Sequence, residues 1–117
     1  VSTPEGAIVK AILGYLAAER ILAFRNNTGA MQAEYKGKKR FMRFGTPGMS
    51  DILAFPRFPF NPPVKGLSIE RPFWIEVKTE DGKQSDLQKS FQALVEGHGH
   101  RYVVVRSIED LKEALRP

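Results

Sequence analysis

Cysteine is missing from all 117 residues, which excludes a disulfide framework, a thiol nucleophile and any cysteine-ligated zinc or iron–sulfur site. Histidine is nearly as scarce: the two copies are His98 and His100, flanking Gly99. No apolar run approaches the roughly 20 residues of a membrane span, and no signal-peptide pattern opens the chain. A soluble protein is expected, in the cytoplasm, since nothing in the composition demands oxidising conditions. Repeats are absent too. What is present suffices for one core: 42% hydrophobic residues, eight Phe, three Tyr and one Trp, over a length that suits a single domain spanning 1–117.

Acids are in deficit, 13 against 18 Lys and Arg, for a net charge of +5, and the excess is local. Between Arg20 and Arg43 stand seven bases and one acid, Glu34. Such a block favours a polyanion, with nucleic acid ahead of an acidic membrane because the block is not an amphipathic helix. The plainer alternative is a solvated basic loop that keeps the protein soluble.

Thr3-Pro4-Glu5 predicts a helix start, with Thr3 as cap and Ile8, Ile12 and Leu16 repeating at helical spacing. Ile21 to Asn26 is a short apolar run, Asn27 to Lys39 an exposed loop or hairpin, and Arg40 to Phe44 a half-buried strand. Gly45-Thr46-Pro47-Gly48 forces a turn before a second apolar run, Asp51 to Phe55. From Pro56 to Pro72 five of the eight prolines predict a loop without regular structure. Phe73 to Lys78 then alternates as a strand. Ser85-Asp86-Leu87-Gln88 matches a capping box that opens a helix with Leu87, Phe91, Leu94 and Val95 on one face. Tyr102 to Val105 reads as a strand buried on both faces, parallel to the Phe73 strand, and Ser107 caps a last helix through Leu111 and Leu115. The fold class is α/β, a mixed sheet flanked by helices.

Glu76 and Lys78 lie two apart on a strand and so share a face, which holds a carboxylate beside an ammonium. The acid-x-Lys tripeptide alone says little, since it occurs four times, at Glu34, Glu76, Asp81 and Asp110. Only the Glu76 copy lies in a convincing strand and follows an Asp, Asp51, at the head of another strand behind a Gly-rich turn. Two carboxylates converging at a sheet end suit a hard cation such as Mg²⁺, and Lys78 would then orient water or neutralise a phosphate. The duller readings are a strand-start turn residue for Asp51 and a solvent-facing charge pair for Glu76 and Lys78.

Asn26-Asn27-Thr28-Gly29-Ala30, Phe44 to Asp51, Ile75-Glu76-Val77-Lys78-Thr79 and Ser85-Asp86-Leu87-Gln88 together resemble the ordered motifs of the virus-type replication-repair nuclease (VRR-NUC) domain, a branch of the PD-(D/E)xK nuclease superfamily. The resemblance runs over nearly the whole chain and points to the small stand-alone type found in phages and bacteria. It implies a restriction-endonuclease-like αβββαβα core in which Asp51 and Glu76 bind Mg²⁺ (Mn²⁺ as substitute), the Val77 carbonyl adds a ligand and Lys78 is the catalytic lysine. It also implies that Glu5 and Gln88 approach the site, that the substrate is branched DNA, four-way (Holliday) junctions in particular, and that the protein is a homodimer. Ser50 stands where the superfamily's name puts Pro, and the Pro56 to Pro72 segment lengthens the gap between Asp51 and Glu76.

Several of these residues have second readings. Helix polarity alone favours Glu5 in a first turn, and the capping box alone explains Gln88. His98 and His100 suit a helix end as well as a metal, and Trp74 suits the core. Asn27 and Thr28 form a turn or a phosphate contact. The expected function is Mg²⁺-dependent DNA endonuclease action by in-line attack of water, with Lys36, Lys38, Lys39, Arg40 and Arg43 gripping the backbone and Phe55, Phe58 and Phe60 on a stiff loop contributing to a dimer surface. The rivals are a restriction-type, flap or linear-duplex nuclease, and a non-catalytic basic nucleic-acid-binding module.

Overall fold

Thr3 caps the first helix as expected: its side chain accepts from the Gly6 amide at 2.9 Å, and Pro4 fills the first turn, where its missing N–H has no partner to lose. A computed structural model describes residues 3–26, 29–35, 38–44 and 46–116, with backbone alone at 29–35 and 38–44. The order is α1 (Pro4–Ala18), β1 (Leu22–Arg25), β2 (Gly29–Tyr35), β3 (Lys38–Phe44), β4 (Ile52–Phe55), β5 (Arg57–Pro59), β6 (Ser68–Glu70), β7 (Phe73–Val77), α2 (Asp86–Gly97), β8 (Arg101–Val105) and α3 (Ile108–Ala114). Among these residues no helix is long and apolar enough to cross a membrane.

A four-stranded mixed sheet runs β1-β4-β7-β8, with β1, β4 and β7 antiparallel and β8 parallel to β7 through the α2 crossover. Alternation along β7 divides its residues between two layers. Phe73, Ile75 and Val77 join Val9, Ile12 and Leu16 of α1 and Leu111 of α3 in the core. Each such buried side chain stabilises by roughly 1.5–3 kcal/mol, so this layer supplies most of the driving force. Trp74 turns the other way and meets Phe91 of α2 edge-on at 5.0 Å. Glu76 shares that second face, and α2 lying over it explains how a carboxylate comes to be buried.

Two further ribbons interrupt the sheet. The β2–β3 hairpin pairs from Gly29↔Phe44 to Tyr35↔Lys38, as the hairpin expectation for this segment allows. It leaves after Arg25 and returns before Ile52, which are themselves paired. The second ribbon corrects the sequence reading: inside the Pro-rich stretch β5 and β6 pair from Arg57↔Glu70 to Pro59↔Ser68. A two-stranded ribbon consists only of edges, where Pro is tolerated. Its aromatics are not uniformly exposed either. Phe58 packs against the core, Phe55 is half-buried against Phe24, and Phe60 is exposed.

Two burial expectations also change. In α2, Phe91 and Val95 are buried but Leu87 and Leu94 are both 58% exposed, because the helix turns Gln88 and Phe91 to the sheet, where they meet Glu76 and Trp74. On β8 only Val105 is fully buried, since that strand is the edge of the sheet and α2 and α3 cover it only in part.

Candidate metal centre

Thr46-Pro47-Gly48-Met49 closes a turn in which the Met49 amide donates to the Thr46 carbonyl at 3.0 Å and Gly48 takes φ +82°. Pro at the second position and Gly with positive φ at the third are what a type II turn requires. A side chain at Gly48 would also strike the backbone of Leu87, so the turn seats the start of α2 directly. The chain leaving it is then pinned: the Asn26 amide donates to the Asp51 carbonyl at 2.7 Å, and the Asn26 side chain donates to the Ser50 carbonyl at 3.0 Å. Asp51 therefore has a fixed backbone. Its carboxylate accepts from the Val77 amide at 2.7 Å, which ties the head of β4 to the end of β7.

Glu76, one residue earlier on β7, is 1% exposed. One carboxylate oxygen, Oε2, accepts from the Gln88 side-chain amide at 3.2 Å and lies 4.0 Å from the Lys78 ammonium. The other, Oε1, is buried with no hydrogen-bond partner among the described residues. Glu5 in the first turn of α1 completes the cluster: oxygens of Glu5, Asp51 and Glu76 lie within 4.8 Å of one another. Burial first, then the hydrogen bond and charge of Asp51, with Glu5 adding to them, push the Glu76 carboxyl up to about 9 against the opposing pull of Lys78. Three carboxylates in so small a space need a proton or a cation between them. A buried carboxylate with one unpartnered oxygen, clustered with two other acids, is the kind of donor set a hard divalent cation takes.

Gln88 satisfies both of its readings at once. Its Oε1 accepts from the Ser85 amide at 2.8 Å, completing the capping box, while its Nε2 donates to Glu76. Turning the amide over would break both bonds, so its orientation is determined. Lys78 is brought to the site as strand parity predicts, its side chain 12% exposed. Val77 reaches the site through its N–H.

The other predicted residues fall elsewhere. Lys38, Lys39, Arg40 and Arg43 lie on β3, where only the backbone is described; Asn27, Thr28 and Lys36 lie outside the described residues. His100 is engaged away from the acids: its Nδ1 accepts from the Trp74 indole at 3.0 Å with the rings stacked at 6.3 Å. His98 closes α2 as its C-cap. Sequence reasoning missed Tyr102, whose hydroxyl accepts from Gln84 at 3.1 Å. Burial and the charges of Glu76 and Asp51 hold that hydroxyl up at about 12, while Gln84 and Ser50 pull the other way. Parity was the available signal, since Tyr102 pairs with Trp74 and belongs to the face that carries Glu76. No protein-family model, curated protein or solved structure matches this chain.

Proposed function

We propose that the chain is a Mg²⁺-dependent DNA endonuclease of the VRR-NUC type, with Mn²⁺ as an alternative metal. The observation that carries this reading is Glu76, a buried carboxylate with one oxygen unpartnered, set against Asp51 and Glu5 with Lys78 alongside. A carboxylate placed this way is costly to a fold unless something binds it. The topology supports the same reading. With the two ribbons set aside, the order helix, three antiparallel strands, helix, parallel strand, helix fits the αβββαβα core of restriction-endonuclease-like nucleases.

In this reading Asp51 and Glu76 hold the cation, joined by the Val77 carbonyl, with Glu5 adjoining. The bound metal supplies charge neutralisation at the phosphate and a lowered pKa for water. The Val77 amide fixes Asp51, Gln88 keeps one oxygen of Glu76 occupied and leaves the other without a partner, and Lys78 would orient the attacking water or balance charge on the phosphate. The basic β2–β3 ribbon is rooted beside Asp51 by the Asn26–Asp51 bond, so the strand that carries Lys38, Lys39, Arg40 and Arg43 is tethered at the acidic end of the sheet, and Lys36 is expected to join them in gripping the backbone. The substrate is a four-way junction and the working form a homodimer in a bacterial or phage-infected cytoplasm. Both extend the resemblance, and paired nicks on a two-fold junction need two sites related by a two-fold axis.

Cleavage of an end-labelled four-way junction and of a linear duplex of equal length, in Mg²⁺, Mn²⁺, Ca²⁺ or EDTA, tests the reading. Mg²⁺ and Mn²⁺ are expected to support cutting, Ca²⁺ binding without cutting, and EDTA neither product. Full activity in EDTA overturns the metal role. Equal cutting of both substrates by a monomer replaces the junction reading with a flap or linear-duplex nuclease.

A further inference from the structure

A cleft of about 400 Å³ opens at the end of the sheet away from the acids, bounded by Phe58, Phe60 and Ile69 of the Pro-rich ribbon and by Arg71, Arg101 and Arg116. Arg101 pairs with Phe73 in the β7–β8 register, whereas the acids gather at Val77; four residue steps of strand, roughly 13 Å, separate the two ends. Among the described residues no acid lines the cleft. Among them, too, Arg71 and Arg101 form no salt bridge, whereas Arg116 is paired with Glu113 at 3.2 Å, and the Arg101 guanidinium is already placed, 5.1 Å over the Phe73 ring. The adjacent cleft differs in kind, since Glu19 and Glu70 there accompany Arg20 and Arg57, and Arg57 is bonded to Glu70 at 3.2 Å.

Flat apolar rings beside the unneutralised guanidinium groups of Arg71 and Arg101 suit a planar base joined to phosphate. Aromatic faces stack any base, and Arg supplies fixed donors to phosphate oxygens. The volume is at the small end for ligand clefts and admits a single unit of that kind. A ribbon of two short strands braced by Phe58 against the core gives the ring of Phe60 a stable mount.

We infer that this cleft is a second nucleic-acid site, taking one unpaired nucleotide with its base against Phe60 and Phe58 and its phosphates against Arg71 and Arg101. The inference rests on nucleic acid being the substrate but not on metal-dependent cleavage. It implies that nucleic acid with an unpaired or splayed strand gains a contact at this cleft that fully paired duplex does not.

The test is binding of fluorescent dT12 and of a blunt duplex, by anisotropy, to the full chain in EDTA. Phe60 is 42% exposed, so Phe60→Ala leaves the core intact. It is expected to weaken dT12 binding at least fivefold, in line with the loss of one stacked base, and to leave duplex binding within twofold. Phe60→Trp should restore the affinity. Arg71→Gln should weaken dT12 binding and lower its salt slope by about 0.7, while Arg20→Gln, in the mixed-charge cleft, should not. Unchanged dT12 binding in Phe60→Ala, equal losses on both DNAs, or an Arg20→Gln effect as large as that of Arg71→Gln would overturn the inference. Displacement of dT12 by oligo-glutamate as readily as by oligonucleotide would reduce the cleft to a general anion site and overturn it as well. Adding Mg²⁺ and an end-labelled four-way junction, beside a linear duplex of equal length, to the same proteins separates the two proposals: cleft-dependent dT12 binding with neither DNA cut supports this site and counts against the nuclease reading alone.

Discussion

Replacing Glu76 with Gln exchanges one buried oxygen for an amide nitrogen of nearly the same size, so packing is preserved while charge is removed. The direction of the effect follows from the carboxyl's displacement from 4.5 to about 9. Because the folded value lies above the unfolded one, the folded chain holds a proton that the unfolded chain has released. In the absence of metal, stability present below pH 4.5 is therefore lost progressively as pH rises towards 9, at about 1.4 kcal/mol per pH unit. By pH 7 the loss amounts to about 3 kcal/mol. The substituted glutamine never ionises, its carbonyl can accept from Gln88, and its amide gives the neighbouring carboxylates a donor in place of a charge. In EDTA at pH 7, Glu76→Gln should thus unfold some 10–20 °C above the wild type, with the gap closing towards pH 4.5. Saturating Mg²⁺ should raise the wild-type midpoint more than the variant's, because the variant keeps Asp51 and Glu5 but lacks the third carboxylate. Thermal unfolding followed by far-UV circular dichroism from pH 5 to 9, with and without Mg²⁺, measures all of this. A variant less stable than wild type throughout that range in EDTA would refute the account of Glu76 as a frustrated carboxylate.

Lys78→Ala should abolish cleavage yet retain Mg²⁺-induced stabilisation, which a thermal-shift titration beside a cleavage assay resolves; loss of both would make Lys78 a structural partner of Glu76 alone. Gln88→Ala should cost about 1 kcal/mol in urea unfolding through the cap and lower cleavage, whereas Gln88→Glu can keep the cap but places a fourth acid at the cluster, so its midpoint should fall as pH rises. Gly48→Ala combines a strained φ with a clash against Leu87, and should lose on the order of 2 kcal/mol or more together with activity; a near-neutral result would mean that the turn does not seat α2. Replacing Lys36, Lys38, Lys39 and Arg40 by Gln should weaken duplex binding without sequence preference and lower the salt slope by about 0.9 for each phosphate no longer neutralised, which anisotropy across a salt series measures.

Much of the scaffold was legible because local rules and tertiary context agree. The alternation at Phe73 to Val77, the Ser85 cap and the crossover into Tyr102 each place an element correctly, and the same parity puts Glu76 and Lys78 together. Where the reading failed, a tertiary fact intervened. Five prolines argue against a strand in a sheet, but not against a ribbon with free edges. Leu87 and Leu94 look like core residues by spacing, yet α2 is rotated by its need to present Gln88. The partnership of His100 with Trp74 spans 26 residues and has no local signature. The convergence of Glu5 with Asp51 and Glu76 needed the fold as well, because an acid in a first helical turn is ordinary in any sequence.

The two ribbons grow from opposite ends of one meander. The first replaces a tight turn between β1 and β4 beside Asp51; the second replaces the turn between β4 and β7 beside the arginine cleft. Neither insertion enters the register of the strands it joins, so the closure entropy of each rises only slowly with its length. Ribbons can therefore be exchanged between chains with this core like attachments on a common handle, changing the surfaces at the two ends of the sheet while the carboxylates stay where the sheet puts them. The β5–β6 ribbon is the simpler graft, because a transplant there can leave Asp51, Glu76 and Lys78 untouched.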